Sequence, residues 1–312
     1  MTSTPPALPA PSRPAAAWVH WAFLGPDGAR AGWRCLLYGL TVFGFGLIMA
    51  YIGSHLGKLP KGELAPHFLI ISDGLMTWVV TLATAVMAWM EGKRLRDYGL
   101  GGPHLVRNFV SGLAGGFASL SALVGALYGA GVMDVDGMAL HGIAILQSAA
   151  AMGVAFLLVA LAEELLMRGY LLTTLTRGLG FWPAAALTSV LFTVAHLGNP
   201  GETALGLSAV FAAGVLFCVL VRVSGSLWLG IGFHAAWDWA QSFFYGVADS
   251  GTMLKGHLLN THAMGAAWLS GGTTGPEGSV LDMPITLLGL LALIWVYRPR
   301  GAAVLAGTPA YS

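Results

Sequence analysis

Charge is what this chain has least of. Only 9% of its 312 residues are Asp, Glu, Lys or Arg, against about a quarter in ordinary soluble domains, which is too little to clothe a water-soluble globule. Cysteine is nearly missing too: Cys35 and Cys218 alone exclude a disulfide framework and a cysteine-based metal cluster. A formal net charge of +1 leaves no basic footprint for nucleic acid. No His-Glu-x-x-His helix occurs, which excludes a zincin-type site. No Gly-x-Ser-x-Gly or Gly-x-Ser-Gly stands on an apolar span, which argues against a serine-type intramembrane protease. Internal repeats, heptads and the inverted halves of many transporters are also absent. The first long apolar run starts near Cys35, too far in for a cleavable signal.

What is present is apolar. Hydrophobic residues make up 56% of the chain, mean hydropathy is +0.73, and several runs approach the roughly 20 residues that cross a bilayer core. Forty-four glycines suit helices whose backbones approach closely. The reading is an all-α, polytopic transmembrane bundle of about eight spans, near 34–53, 68–90, 106–131, 153–177, 181–197, 204–221, 227–247 and 281–297. Segment 139–152 either extends the fourth span or forms an interfacial helix. Residues 1–32 are expected to be a disordered or interfacial cytoplasmic arm, 33–300 the transmembrane domain with its chemistry within about 150–248, and 301–312 a cytoplasmic tail. With the N-terminus inside, eleven Lys and Arg face the cytoplasm, only Lys58, Lys61 and Lys255 lie outside, and Arg168 is within a span. The positive-inside rule then places both ends in the cytoplasm, and the cell (inner or plasma) membrane of a bacterium is the expected location. The 248–280 loop, with Gly-Gly-Thr-Thr-Gly-Pro-Glu-Gly, reads as a solvated connection.

Against that apolar background stand three polar clusters. Glu163, Glu164 and Arg168 sit within the fourth span, although even a lenient scale charges roughly 2.5–3.5 kcal/mol for each intramembrane charge. Adjacent helical positions diverge by about 100°, so the two carboxylates point apart. Glu164 precedes Arg168 by four residues, the favourable order for an ion pair, which leaves Glu163 free to face a cavity. Phe192 and His196 form the second cluster, His234 and Asp238 the third. Glu163 and His196 lie at similar distances from the Gly178–Phe181 turn, so at about 1.5 Å per residue they reach a similar depth. One polar pocket between spans four, five and seven is expected. Three carboxylates against one guanidinium cannot stay unbalanced in a low-dielectric site. Bound protons, an imidazolium, water or a divalent cation must relieve them. The remaining intramembrane polar groups take plainer readings: Asp73 reaches water near a span end, Asn108 and Gln147 bridge helices, and Trp237 and Tyr245 pack.

Glu-Glu-x-x-x-Arg, Phe-x-x-x-His and His-x-x-x-Asp in this order, on successive apolar spans, resemble the intramembrane proteases called CPBP (CAAX protease and bacteriocin-processing, Abi), whose eukaryotic branch is Rce1-like. The likeness spans residues 150–248, with Arg168-Gly169-Tyr170-Leu171 and His196-Leu197-Gly198-Asn199 as further typical stretches. It implies an endopeptidase that hydrolyses a membrane-associated protein or peptide within the lipid bilayer. Glu163 and His196 would then activate water, His234 and position 238 would stabilise the oxyanion, and Glu164 with Arg168 would shape the site. The family often has Asn at the last position. Asp238 departs from it, and is either protonated, an orienter of His234, or part of a cation's shell. No cofactor is certain. A divalent metal such as zinc, if present, would use Glu163, His196 and His234. A proton- or ion-coupled transporter, or a non-catalytic protease-like scaffold or immunity protein, would use the same residues differently.

Overall fold

The computed structural model describes residues 24–25, 28–54, 65–199 and 201–297. Most of the expected N-terminal arm and all of the tail lie outside them. Just before the first helix, Leu24–Gly25 pairs with Gly28–Ala29.

Among the described residues eight helices of twelve residues or more follow. They are α1 Ala31–Ser54, α2 Pro66–Met90 and α3 Leu105–Gly129, then the long α4 Ile143–Leu179. After these come α5 Phe181–His196, α6 Ala204–Ser224, α7 Trp228–Trp239 and α8 Asp282–Tyr297. The ambiguous 139–152 region is resolved, because α4 begins at Ile143. Five helices, α1, α2, α3, α4 and α6, are long and apolar enough to cross a membrane, fewer than the eight expected spans. α5 and α8 are apolar but shorter, and α7 has twelve residues. The shortfall in α5 and α7 has a physical reason. Both stop near a polar cavity: α5 ends at His196, and α7 ends at Trp239, where the helix widens into π turns over Ala240–Tyr245. Irregular backbone at membrane depth is tolerated where it lines such a cavity.

Small residues set the tightest crossing, between α3 and α7. A Cβ on Gly116 would stand 2.1 Å from the Phe233 carbonyl oxygen, and one on Gly232 2.3 Å from that of Phe109. The helices therefore touch backbone to backbone, as small residues allow in membranes. Asn108 seals the same seam by donating to Ser226 Oγ at 3.1 Å, the bridging role expected of it. Gln147 makes no such bridge; it is exposed. At one end of the bundle Glu91 accepts hydrogen bonds from Tyr98 and Tyr170 and lies 3.6 Å from Arg34 and 3.7 Å from Lys93, joining α1, α2 and α4.

The opposite end carries the one departure from helix that matters. Strand β1 (Met133–Met138) pairs antiparallel with β2 (Leu259–Ala263), anchoring the loop after α7. The glycines of 271–275 let that loop fold back on itself. Gly271 and Gly275 take φ of +90° and +112°, and Cβ atoms there would fall 1.9 Å from the Gly275 oxygen and 2.0 Å from the Ala248 oxygen. Thr273 and Thr274 then both donate to the Gly201 carbonyl at 3.0 Å. The segment read as a solvated connection is instead bonded to the α5–α6 turn, and it forms a wall of the cavity below.

Candidate active site

A cavity of about 360 Å³ opens among α2, α4, α5, α6, α7 and the 248–280 loop. Its polar floor comes from α4 and α7. Glu163 and Glu164 end the regular part of α4, and the helix widens to π turns over Leu165–Leu171. A second π stretch, Ala240–Tyr245, follows α7 immediately after Asp238. Such turns add a residue, re-aim the side chains beside them, and occur often at functional sites.

The two glutamates divide as the sequence suggested. Glu164 and Arg168 are both fully buried, with Arg168 Nη1 donating to Glu164 Oε1 at 3.1 Å. The guanidinium also donates to the Gly214 carbonyl at 3.2 Å and stacks 4.4 Å from the Phe192 ring. Glu164 Oε2 and Arg168 Nε have no hydrogen-bond partner among the described residues, so the pair is incompletely satisfied. Glu163 points the other way, its side chain 31% exposed, into the cavity.

His234 is the hub. Its Nδ1 lies 3.3 Å from Glu164 Oε1, while Nε2 lies 3.4 Å from Asp238 Oδ2 and 3.7 Å from Glu163 Oε2. Carboxylate oxygens accept, so Nδ1 donates to Glu164, while Asp238 and Glu163 stand close to Nε2 without a hydrogen bond. Phe217 stacks on it at 5.0 Å, fixing the ring plane. Of the three roles open to Asp238, this contact favours orienting His234.

His196 ends α5 and lines the same cavity. Its Nδ1 lies 2.8 Å from the Phe192 carbonyl oxygen. A carbonyl only accepts, so Nδ1 donates to it, which leaves Nε2 as the ring nitrogen not engaged by the backbone. All six residues singled out from the sequence thus belong to one neighbourhood: Glu163, His196, His234 and Asp238 line the cavity, and Glu164 with Arg168 lies directly beneath.

Among the described residues no group of three His, Cys, Asp or Glu side chains is arranged to hold a metal ion.

Sequence reasoning missed the outer half of the site. Asp73, expected to reach water near a span end, accepts from Ser72 Oγ at 2.9 Å and lines the cavity. Asp249, Glu277 and Asp282 line it too, as does Trp237, which also packs in the core as expected. Burial pushes the Asp249 carboxyl well above the usual range, and Asp238 and Glu277 nearby push it further. Burial likewise raises Glu277 to about 8, opposed by the hydrogen bond from the Ser250 backbone N–H and reinforced by Asp238 and Asp282. The one available signal was the number of acidic residues clustered in loops on this side of the bundle.

Comparison with known families finds residues 145–240 matching the Rce1-like model, described as type II CAAX prenyl endopeptidase Rce1-like. No curated protein and no solved structure matches the chain. The matched stretch contains Glu163, Glu164, Arg168, His196, His234 and Asp238. The resemblance carried by the three motifs is thereby shown: residues 145–240 are Rce1-like, which supports an intramembrane protease of the CAAX type in general.

Proposed function

We propose that this protein is an intramembrane endopeptidase that hydrolyses a peptide bond of a membrane-associated protein or peptide, using a water activated by Glu163 and His196. The observation that supports it most is the meeting of Glu163 with His234 and Asp238 on a cavity that His196 also lines. Lipid packing alone gives no reason to gather carboxylates and imidazoles there.

Glu163 is the cavity-facing carboxylate and accepts the proton as the water oxygen attacks the carbonyl carbon. His196 Nε2 accepts a hydrogen bond from the same water and orients it. The carbonyl oxygen becomes an oxyanion, which His234 Nε2–H stabilises. Asp238 holds that ring in the donating orientation. On collapse the C–N bond breaks, Glu163 returns its proton to the leaving nitrogen, and the products are an amine and a carboxylic acid, which ionises by giving its proton to water or to the amine. Glu164 and Arg168 act from beneath by fixing Nδ1 of His234 and the aromatic rings around it.

The same reading places all eight helices in the bilayer of a bacterial cell membrane, with both chain ends cytoplasmic and the cavity opening on the other side. The test is peptide release by the purified, reconstituted protein with wild-type, Glu163→Gln and His196→Ala chains. Loss of cleavage in both variants, with insertion and unfolding temperature unchanged, is expected; normal processing by either overturns the mechanism. Repeating the assay with a chelator checks metal dependence.

A further inference from the structure

A second hollow, of about 520 Å³, shares the loop wall with the catalytic cavity. Asp249, Ser250 and Thr252 line the catalytic side, while Val247, Ala248, Gly251 and Met253 line this one. Strand β2 contributes Thr261, His262 and Ala263 to the hollow. Successive strand side chains point to opposite faces, so three consecutive residues on one hollow place it along the strand's edge. The pairing of β1 with β2 says what that edge offers. The Met264 N–H donates to the Val132 carbonyl, and the Ala139 N–H to the Leu258 carbonyl, both at 2.8 Å. With Met133 opposite Ala263 and Val135 opposite Thr261, the alternation of antiparallel pairs turns the N–H and C=O of Thr261 and Ala263 away from β1. The sheet is two-stranded, and among the described residues none bonds those outward groups. At Leu259 the same edge is covered, since a Cβ on Gly246 would stand 2.2 Å from its carbonyl oxygen. Thr261 adds an independent sign. It is 8% exposed, and its Oγ1 has no hydrogen-bond partner among the described residues. Buried polar groups are nearly always paired, so hydroxyl and backbone together mark the place of a partner.

We infer that the Thr261–Ala263 edge of β2 is an exosite, where an extended segment of the substrate peptide pairs as a third strand. This rests on the endopeptidase reading and adds a recognition site beside the hydrolytic one. The occupant is a peptide backbone because the unmet groups are N–H donors and C=O acceptors at strand spacing. Thr261 and Ala263 present them about 7 Å apart along the edge, the two-residue repeat of an added strand. The hollow suits a close main chain. Gly201, Gly246, Gly251, Gly272 and Gly275 line it, and glycine marks places where another backbone approaches closely. Met133, Val247, Met253 and Pro276 offer apolar contacts for the alternate side chains of such a strand. The edge is set beforehand, because His262 Nε2 lies 2.8 Å from Asp136 Oδ2 at the bulge between Val135 and Gly137. With the loop wall as common partition, a peptide seated here lies on the same side of the bundle as the catalytic cavity. Main-chain pairing then gives affinity without demanding one sequence.

The test uses full-length Glu163→Gln protein in phosphatidylcholine vesicles, so that binding is read without cleavage. The probes are a fluorescein-labelled decapeptide of alternating threonine and valine, and the same peptide N-methylated at every residue. Methylation keeps the side chains and removes the N–H donors. Fluorescence anisotropy is expected to show the methylated peptide binding at least tenfold more weakly. Thr261→Pro and Ala263→Pro each remove one outward N–H and leave the β1–β2 ladder bonds in place, as proline at a sheet edge does. Each should weaken binding of the unmethylated peptide several-fold at unchanged unfolding temperature. If a proline variant fails to fold, Thr261→Val decides: it keeps the strand, loses only the hydroxyl, and should still weaken binding at least threefold. Equal binding of the two peptides, no binding of either, or an affinity unmoved by the substitutions overturns the exosite. Dimers cross-linked through Ala263→Cys and lost on adding Thr261→Pro would assign the edge to a second copy of the chain, and also overturn it. Selective binding of the unmethylated peptide, with no peptide hydrolysed by wild-type protein, leaves the exosite standing and fails the endopeptidase reading instead.

Discussion

At the scale of single residues, the site separates groups that do chemistry from groups that hold them. On the proposed mechanism Glu163 and His196 belong to the first class, and removing a positioned acid or base costs typically 10²–10⁴-fold. Glu163→Gln keeps the shape and the hydrogen-bonding oxygen but cannot take a proton. It should therefore lower kcat by at least about 100-fold while leaving KM nearly unchanged, as steady-state kinetics would show. Arg168 belongs to the second class. Its removal strands a fully buried Glu164, and breaking a buried pair in this way costs roughly 3–5 kcal/mol. Arg168→Met should therefore unfold at clearly lower temperature than wild type. Glu164→Gln combined with Arg168→Met should recover part of that loss, because no charge is then left unpaired. Thermal unfolding of the three purified variants checks the order. If the double variant is no better than the single one, the pair is not what Arg168 contributes, and its stacking on Phe192 at 4.4 Å becomes the leading cause.

At the scale of helices, the α3–α7 crossing decides whether the site forms at all, since α7 carries His234 and Asp238. Gly116 and Gly232 let the backbones meet, and a methyl group on Gly116 would need the Phe233 carbonyl to retreat by more than side-chain adjustment allows. Gly116→Ala should depress folded yield sharply. Gly125→Ala, on the same helix with open space around its Cβ position, should be neutral or mildly stabilising, because glycine weakens a helix interior by about 0.5–1 kcal/mol relative to alanine. Fluorescence-detected size exclusion of both variants makes the comparison directly. The sequence could foretell that glycine-rich helices would pack closely, but not which pair, because pairing depends on long-range geometry that composition does not encode. For the same reason it fixed Glu164–Arg168 correctly, since an i,i+4 pair is local. It could not foresee the π stretches after Glu164 and Asp238, which leave no pattern in hydrophobic periodicity.

Across the whole molecule, what was legible was whatever repeats with helical period or depends on depth in an apolar run: the helical bundle, the three motifs, and their convergence. What was not legible was the acidic wall, because Asp249 and Glu277 sit in a loop whose path is set by backbone contacts among glycines and by β1–β2 pairing. That wall makes a pH prediction whose sign follows from linkage. Burial, with Asp238 and Asp282 nearby, pushes the Glu277 carboxyl up to about 8 in the folded protein, from an ordinary value of about 4.5. Between those values the folded state holds more protons than the unfolded state, so stability falls as pH rises through the window. The contribution is present below the unfolded value and gone above the folded one, the reverse of a salt-bridged carboxylate. Glu277→Gln removes this proton linkage while keeping an acceptor for the Ser250 N–H. Unfolding temperatures of wild type and Glu277→Gln, measured in the same detergent from pH 5 to 8.5, should therefore converge at the acid end and separate at the alkaline end, with the variant the more stable. Parallel curves across that range would mean that Glu277 stays ionised in the folded protein, with water reaching the loop wall freely.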